Sequence, residues 1–405
     1  MGIVTNHRLS PTRRGARVGV GSALAAAAVL TGAATPTAGA TRFRLNPAAR
    51  DVPALTVEVL RAGLAVPWDI GFLDADRYLV TERSGRLWLG RLSGGALQRV
   101  TANFADLARQ GEAGLLGLAI DPAFATNRIF YTCQSHVGPN DNRVVRWRLS
   151  ATGTSAVRVG APVISGIPLA NIHNGCRVVV GPDGKLWVST GDAATGPAPQ
   201  DKTNLGGKIL RVNRNGTAPV DNPWPKAINA KRRLVWNYGH RNPQGLAFRP
   251  GTTQLWNVEH GPERDDELNL ALKGRNYGWN PVASPTNPTY YQGVPMTDLA
   301  EFPDAVPAAW TSGLPTLATS GLGFINGPAW GGYDGVAAIA QLKNAGVLAV
   351  WLDAAGAVTA TAEIPELNDA YGRIRTLRMG PDGALYVLTS NTTNDKILRV
   401  TPSSS

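Results

Sequence analysis

Short apolar runs recur along the chain, and each run leads through a polar turn into a second apolar run. One such unit covers 176–190 with its turn at 181–184, a second surrounds the turn 249–251, and a third surrounds the turn 380–383. Pro, Gly and Asp dominate these turns, while β-branched and other apolar residues dominate the runs. This combination is typical of antiparallel hairpins. The pattern therefore predicts a chain made of repeated β-hairpins.

Three further units are less regular. The unit 114–132 has a longer turn that contains Asp121 and Pro122, the unit 68–81 lacks a turn proline, and a blurred unit lies within 321–352. Successive units are far enough apart for each to hold a four-stranded sheet, at roughly 60 residues per unit, which is typical of a propeller. We therefore predict an all-β fold, a six-bladed β-propeller. Two packed β-sandwiches are the alternative, which the regular recurrence of the turns disfavours.

Polar side chains enter several hairpins in the same phase. Each of these residues stands eight to ten positions before the proline of its own turn: Glu112, His173, Arg241 and Arg373. In a propeller the innermost strand of each blade lines the central channel, so these residues should enter that strand from one end. The second strand of the hairpin returns to the same end, which adds the segments 191–192 and 259–262. The phase therefore predicts a polar site at one axial opening of the propeller.

Residues 1–40 do not share the repeat. Four arginines precede the apolar run 18–31, and the small residues 38–40 offer a cleavage site. This is the pattern of a signal peptide. We therefore expect an exported protein that is secreted, periplasmic or attached to the cell surface, with 41–405 as a single propeller domain. An uncleaved anchor is the alternative, although the apolar run is short for a membrane span.

The charge balance bears on the partners of the protein. The chain has 40 Lys and Arg against 29 Asp and Glu, a formal net charge of +11. Four of the 40 basic residues lie in 1–40, so 36 basic and 29 acidic residues remain, a net charge of +7. The basic residues are dispersed and form no block or nucleic-acid motif, so we expect no nucleic-acid partner. A dispersed basic surface of this kind favours anionic ligands.

The two cysteines of the chain stand at matching ends of neighbouring hairpins. Cys133 closes the second strand of one hairpin, and Cys176 opens the first strand of the next. Both should lie near the polar opening, and export favours disulfide formation, so we expect a Cys133–Cys176 disulfide. Two buried free thiols are the alternative. No zinc site follows from two cysteines without a nearby histidine pair.

Four motifs near the predicted opening carry a resemblance to a known family: GHRNPQG at 239–245, EHGP at 259–262, DELN at 266–269 with NYGW at 276–279, and GLLG at 114–117. From 68 to 400, the chain resembles the soluble, exported quinoprotein sugar dehydrogenases, which use pyrroloquinoline quinone (PQQ) and calcium on a six-bladed propeller. The resemblance implies an enzyme that oxidises an aldose at the anomeric carbon to the lactone and passes the electrons to an external acceptor. Which sugar is oxidised depends on loops such as 281–296.

The resemblance also implies roles for individual residues. His173 would be the general base that removes the hydroxyl proton of the sugar, a task that suits histidine because its side chain ordinarily titrates near neutrality. Arg241 would polarise the quinone carbonyl that gains negative charge, with Asn242 beside it. The implied contacts to the cofactor are made by Glu112, Arg241, Asn242, Thr316, Lys343, Arg373 and Arg375.

Two calcium sites follow from the same resemblance. Gly261 and Pro262 would present carbonyl oxygens to a calcium ion that bridges to the cofactor, and calcium favours oxygen ligands of this kind. Glu267 and the carbonyl oxygen of Tyr277 would hold a second, structural calcium ion.

Three residues depart from the family pattern. Ile172 stands where some members carry Asp, Glu112 stands where some carry Gln, and Leu314 replaces an aromatic residue that packs against the quinone in some members. Two other functions therefore stay open. One is a calcium-dependent propeller hydrolase of the lactonase type, for which Asp192 and Glu259 could supply carboxylates. The other is a propeller that binds sugars or glycans without turnover.

Overall fold

The computed structural model describes residues 51–284 and 286–403, and its regular secondary structure there is almost entirely β-strand. Six large sheets follow one another along the chain, which confirms the predicted six-bladed propeller. The predicted signal peptide at 1–40 lies outside the described residues. No helix within the described ranges is long and apolar enough to cross a membrane.

The strands of the first three blades follow in chain order, after one strand that belongs to the last blade. That first strand is β1 (Leu55–Leu64). Blade 1 consists of β2 (Pro67–Phe72), β3 (Arg77–Glu82), β4 (Arg86–Arg91) and β5 (Gln98–Arg99). Blade 2 consists of β6 (Leu115–Ile120), β7 (Ile129–His136), β8 (Asp141–Leu149), β9 (Ala156–Arg158) and β10 (Ile164–Pro168). Blade 3 consists of β11 (Gly175–Val180), β12 (Leu186–Thr190), β13 (Lys208–Val212) and β14 (Val235–Tyr238).

Blade 4 contains an insertion, a separate two-stranded hairpin. Its main strands are β15 (Pro243–Phe248), β16 (Leu255–Glu259) and β17 (Glu267–Leu270); the inserted hairpin of β18 (Val282–Ser284) and β19 (Asn287–Tyr290) precedes its last strand, β20 (Trp310–Thr311). Blade 5 consists of β21 (Thr319–Phe324), β22 (Ala337–Gln341), β23 (Val347–Leu352) and β24 (Val358–Glu363). Blade 6 consists of β25 (Ile374–Met379), β26 (Leu385–Thr389), β27 (Asp395–Pro402) and β1.

The few helical segments are short connections between strands. Within 51–284 and 286–403, they are the α-helix α1 (Phe124–Asn127) and the 3₁₀ helices Arg232–Leu234, Pro328–Tyr333 and Pro365–Leu367. The segment Pro328–Tyr333 replaces the short Pro/Gly/Asp turn between β21 and β22. This replacement explains why the sequence of blade 5 shows only a blurred copy of the repeat.

The inner strands close into a ring. The strands β2, β6, β11, β15, β21 and β25 each contact the next one, and β25 contacts β2. The ring is sealed by β1, which pairs antiparallel with β27 from Leu55 opposite Pro402 to Leu64 opposite Asp395. Pairing the two ends of the chain in one sheet leaves no open gap between the first and last blades, which is how propellers protect their edges. Apolar clusters fill the spaces between neighbouring blades.

A charged network lies where the inner strands meet. Arg177 on β11 places Nη1 2.8 Å from Oδ2 of Asp69 on β2, and its guanidinium stacks over the Trp68 ring at 4.1 Å. Arg378 on β25 reaches the same carboxylate at 3.2 Å. Burial disfavours the charged form of Asp69, but the two arginines outweigh this effect and lower its pKa. Blades 1, 3 and 6 are therefore joined at the axis by ion pairs to the buried Asp69.

A disulfide joins blades 2 and 3. Cys133 on β7 and Cys176 on β11 are bonded, with their Cα atoms 5.5 Å apart, and both residues are fully buried. The bond lies among the apolar residues that pack between the two blades. It therefore covalently fixes the contact between the blades that carry Glu112 and His173.

We expect reduction of this disulfide to lower the free energy of unfolding by about 2–4 kcal/mol, because the cross-link restricts the unfolded chain. Urea unfolding of the oxidised and the reduced protein measures the difference. The double variant Cys133→Ala/Cys176→Ala should be no more stable than the reduced parent and should not respond to reductant. Equal unfolding midpoints for the oxidised and reduced parent would contradict the expectation.

Candidate active site

His173 lies directly before β11 in an unusual backbone conformation. Its φ is 59°, the left-handed region that residues with a side chain rarely adopt. Its N–H donates to the Glu112 carboxylate at 3.0 Å, and its carbonyl accepts from the Ala193 N–H at 3.1 Å. Gly191 approaches so closely that a Cβ there would collide with the His173 carbonyl. Contacts from blades 2 and 3 therefore fix the backbone of His173, and one of them is its hydrogen bond to the Glu112 carboxylate.

The ring of His173 is oriented by Asp192, a fully buried residue just after β12. Nδ1 of the ring lies 2.8 Å from Oδ1 of Asp192, which also accepts from the Ala194 N–H at 2.8 Å. Oδ2 accepts from the Trp279 indole N–H at 2.8 Å and from the Tyr290 hydroxyl at 3.0 Å. A carboxylate beside Nδ1 keeps the proton of a neutral imidazole on that nitrogen, which leaves the lone pair on Nε2. His173 is thus arranged as a base.

The sequence pattern places Asp192 at the opening only as part of a possible carboxylate cage and does not indicate that it pairs with His173. The phase of the repeat could have predicted this pairing. His173 precedes the first strand of a hairpin and Asp192 follows the second strand, so closure of the hairpin brings both residues to one end.

Arg241 and Asn242 lead into β15, and both are buried. Arg241 donates from Nη1 to the His260 carbonyl at 2.6 Å and from Nη2 to Oε1 of Gln292. Oδ1 of Asn242 accepts the Gly175 N–H at 3.1 Å. In the part of the chain that the structure describes, Arg241 Nε and Asn242 Nδ2 are buried donors without an acceptor. Such donors are rare in folded proteins, and a ligand with acceptor groups would satisfy them.

Arg375 contributes to a polar depression that residues from five blades line, which places the depression at the axis. The lining residues are Trp68, Arg83, Glu112, Leu116, Asn174, Gly175, Gln244 and Arg375. The buried Arg375 donates to Oε1 of Gln244 at 2.6 Å and to the Ser390 hydroxyl at 3.4 Å. Burial lowers the pKa of Arg375 to about 9, and the charge of Glu112 opposes this shift. The depression therefore combines a buried cation with the Glu112 carboxylate.

Arg373 and Lys343 are the exposed members of the predicted cofactor set. Neither side chain has an ion-pair partner among the described residues. Thr316 is buried, whereas the departures Leu314 and Ile172 are exposed apolar side chains. The structure thus gives Arg373 and Arg375 different environments, although they stand only two positions apart, Arg373 directly before β25 and Arg375 within it.

The loop between β16 and β17 is organised by Asp266. Its Oδ1 accepts from the Gly261 N–H at 2.9 Å and lies 3.0 Å from Nδ1 of His260, while its Oδ2 accepts from the Leu317 N–H at 2.6 Å. The carbonyl oxygens of Gly261 and Pro262 accept no hydrogen bond from any described residue. These oxygens are therefore available as ligands for the cation that the family resemblance implies.

The second predicted calcium site contains a pair of buried carboxyl groups. Burial and the charge of Glu259 raise the pKa of Glu267 to about 8, and the Thr297 hydroxyl donates to Glu267 at 3.0 Å. The Tyr277 ring stacks on His240 with centroids 4.5 Å apart, and the Tyr277 carbonyl makes no hydrogen bond to a described residue. A bound cation would allow both carboxyl groups to be ionised. Across 51–284 and 286–403, no three or more His, Cys, Asp and Glu side chains cluster as metal ligands, so a cation here would depend on carbonyl oxygens.

The propeller and the site together define a β-propeller oxidoreductase of the sugar dehydrogenase class. Residues 64–399 match the family model described as Glucose / Sorbosone dehydrogenase, and the chain belongs to that family. The aldose sugar dehydrogenase YliI of Escherichia coli (strain K12) is 33% identical over 359 residues, which cover 86% of this chain and 93% of the relative.

Two solved structures show the same fold. The soluble aldose sugar dehydrogenase of Escherichia coli in its apo form is similar with a TM-score of 0.76 and 32% identity, covering 86% of this chain and 100% of that one. The PQQ-bound aldose sugar dehydrogenase of Streptomyces coelicolor is similar with a TM-score of 0.70 and 28% identity, covering 86% of this chain and 99% of that one.

Proposed function

We propose that this protein oxidises an aldose at the anomeric carbon to the lactone, using PQQ and calcium, and passes the electrons to an external acceptor. The observation that carries the proposal is the Asp192-oriented His173 beside Arg241, whose carbonyl accepts the Asp192 N–H at 2.8 Å. The relatives named as aldose sugar dehydrogenases, one of them in a PQQ-bound form, support the substrate class and the cofactor. Export through residues 1–40 is part of the same proposal.

The residues at the opening fit PQQ, whose carboxylates and carbonyls are hydrogen-bond acceptors. Arg241 and Asn242 each have a buried donor that no described residue satisfies, and so does Nε of Arg375. Lys343 and Arg373 add exposed positive charges. Hydrogen bonds from such cations to carboxylates are about twice as strong as those between neutral groups. These donors and positive charges together suit a ligand that carries several negative charges.

The residues also fit calcium. The free carbonyl oxygens of Gly261 and Pro262 would hold one ion next to the cofactor, and Glu267 with the Tyr277 carbonyl would hold a structural ion. Oxygen ligands from both carbonyls and carboxylates are those that calcium prefers. The buried pair of Glu259 and Glu267 gives the second ion an electrostatic reason to bind.

The chemistry assigned to the chain centres on His173. When bound, PQQ supplies the acceptor for the hydride of the anomeric carbon. Nε2 of His173 takes the proton of the anomeric hydroxyl, so that the oxygen forms the new carbonyl of the lactone. Asp192 stabilises the resulting imidazolium through Nδ1. The donors of Arg241 and Asn242 offset the negative charge that grows on the acceptor carbonyl.

The hydrolase alternative is less well supported. Such an enzyme would need free carboxylates around the axis, and the two candidates are engaged elsewhere. Asp192 binds His173, and Glu259 lies 2.7 Å from Nδ1 of His240 and accepts the Arg241 N–H at 2.7 Å. The side chains that a carboxylate cage would require are therefore committed to orienting neighbouring residues.

The proposal is tested by adding PQQ and calcium to the purified protein without cofactor and measuring aldose oxidation with an artificial electron acceptor. We expect saturable binding of PQQ, a change in its absorption spectrum and reduction of the acceptor only when aldose, PQQ and calcium are all present. A calcium chelator added before PQQ should prevent the activation. Hydrolysis of aldonolactones by the protein without PQQ, together with no PQQ binding, would overturn the proposal in favour of the hydrolase.

A further inference from the structure

The inserted hairpin of blade 4 reaches back to the catalytic residues of blade 3. Tyr290, the last residue of β19, donates its hydroxyl to Oδ2 of Asp192 at 3.0 Å, and the Tyr290 hydroxyl oxygen also lies 3.1 Å from Nδ1 of His173. Two residues further along, Gln292 accepts from the Arg241 guanidinium. The hairpin thus contacts both the proposed base and the proposed carbonyl-polarising arginine.

We propose that the hairpin β18–β19 is a positioning element of the active site and that Tyr290 acts through Asp192 on His173. This inference rests on the proposed function for its catalytic meaning. Tyr290 is a positioning residue, because its hydroxyl contacts Asp192 and Nδ1 of His173, not the Nε2 that takes the proton.

The hydrogen-bond pattern around Asp192 explains how Tyr290 acts. Trp279 donates to Oδ2 of Asp192, and Tyr290 supplies the second donor to the same oxygen. Each donor to a carboxylate withdraws part of its negative charge, so the charge that Asp192 presents to His173 depends on whether Tyr290 is in place. Loss of the hydroxyl strengthens the attraction of Asp192 for a protonated imidazole. The seated hairpin therefore sets how strongly Asp192 attracts a proton on His173.

The hairpin is seated on a glycine of the segment that follows Asp192. A Cβ at Gly196 would lie 2.6 Å from the Pro288 carbonyl, 2.9 Å from Cγ1 of Val282 and 3.2 Å from the Pro281 carbonyl. The φ of Gly196 lies outside the left-handed region, so the backbone there accepts alanine. A methyl group at this position would therefore push the hairpin away without altering any group that contacts Asp192.

The charged and titratable groups that face His173 are few. Asp192 faces its Nδ1, Tyr290 borders the same nitrogen, and Glu112 accepts its main-chain N–H. Arg241 is the nearby cation, since its charge also acts on Tyr290. Tyr290 stays protonated throughout the neutral range, because burial, followed by the charge of Asp192, raises its pKa. A change in the titration of His173 in a Tyr290 variant can therefore be traced to the lost hydroxyl.

The test is the pH titration of the His173 ring signals by NMR in the protein without PQQ, with His173→Ala identifying the signal. We expect Tyr290→Phe to move the titration midpoint upward by about 0.5–1 pH unit, the size that corresponds to one hydrogen bond of ordinary strength. Gly196→Ala should move it in the same direction. Tyr291→Phe is the matched control, because Tyr291 is exposed and lies next to Tyr290; its midpoint should match the parent.

In the PQQ-loaded protein, Tyr290→Phe should lower the rate of aldose oxidation about 3–10-fold at pH 6, because protonation removes His173 as a base. At pH 9 the rate should return to that of the parent. A parent-like midpoint in Tyr290→Phe overturns the role of Tyr290, and a parent-like midpoint in Gly196→Ala overturns the role of the hairpin. If the loaded parent oxidises no aldose, the proposed function fails, whereas the titration still decides whether Tyr290 acts on His173.

Discussion

Replacing His173 by alanine is expected to lower the rate of aldose oxidation by about 10²–10⁴ while PQQ binding stays close to that of the parent. The factor is the range by which loss of a general base slows a reaction. Binding and chemistry should separate because His173 presents Nε2 to the substrate, whereas the proposed cofactor contacts come from Arg241, Asn242 and the cationic set. Stopped-flow reduction of the bound cofactor by aldose measures the rate, and spectral titration measures PQQ binding.

Two controls test whether the loss of rate is specific to the imidazole of His173. His136→Gln changes a histidine that contacts Gln134 and Asp106 in blade 2, so it should leave the rate within about threefold of the parent. Imidazole added to the His173→Ala protein should restore part of the rate, because the truncated side chain leaves space beside Asp192. A His173→Ala protein that holds PQQ and oxidises aldose at the parental rate would refute the assignment of the base.

The architecture was predictable from the sequence because it depends on local turns. Four of the six inner hairpins carry a turn that combines Pro with Gly or Asp, and the distance from turn to polar residue fixes which end of the strand that residue occupies. Local signals fail where the turn changes, as in blade 5, whose connection is the helix Pro328–Tyr333. They also do not predict that β1 completes blade 6, because that pairing joins residues more than 300 positions apart, such as Thr56 and Thr401.

The candidate site was only partly predictable for the same reason. Phase brings His173 and Arg241 to one opening, but which side chain touches which depends on loops that have no periodicity. Tyr290 lies 98 positions from Asp192 along the chain and reaches it from a hairpin that, in the part of the chain the structure describes, only blade 4 contains. Only the three-dimensional structure reveals a contact of this kind.

The cationic set shows how the structure refines a sequence-based prediction. Arg373 and Arg375 are equivalent in the sequence pattern, yet Arg375 is buried and donates to Gln244, Ser320 and Ser390. Removing Arg375 would leave these partners unsatisfied and disturb the protein interior. Arg373 and Lys343 are exposed, so their removal should leave the fold intact and isolate their effect on the cofactor.

The double variant Lys343→Ala/Arg373→Ala is expected to weaken PQQ binding by about 10²–10⁴-fold, because a hydrogen bond to a charged group contributes roughly 1.5–3 kcal/mol. The rate of aldose oxidation at saturating PQQ should stay near that of the parent, since neither residue contacts the base or its carboxylate. Equilibrium titration with PQQ gives the dissociation constant, and the rate is measured at PQQ concentrations above it.

Lys226→Ala/Lys273→Ala is the matched control for the Lys343→Ala/Arg373→Ala protein. It removes two charges from loops at the opposite end of blades 3 and 4, beyond Val212 and Leu270. If binding depended only on the overall positive field of the protein, both double variants would weaken it alike. Direct contact with the PQQ carboxylates requires a large loss of PQQ affinity in the first variant and almost none in the control. Equal losses of affinity in the two variants would refute the assigned contacts.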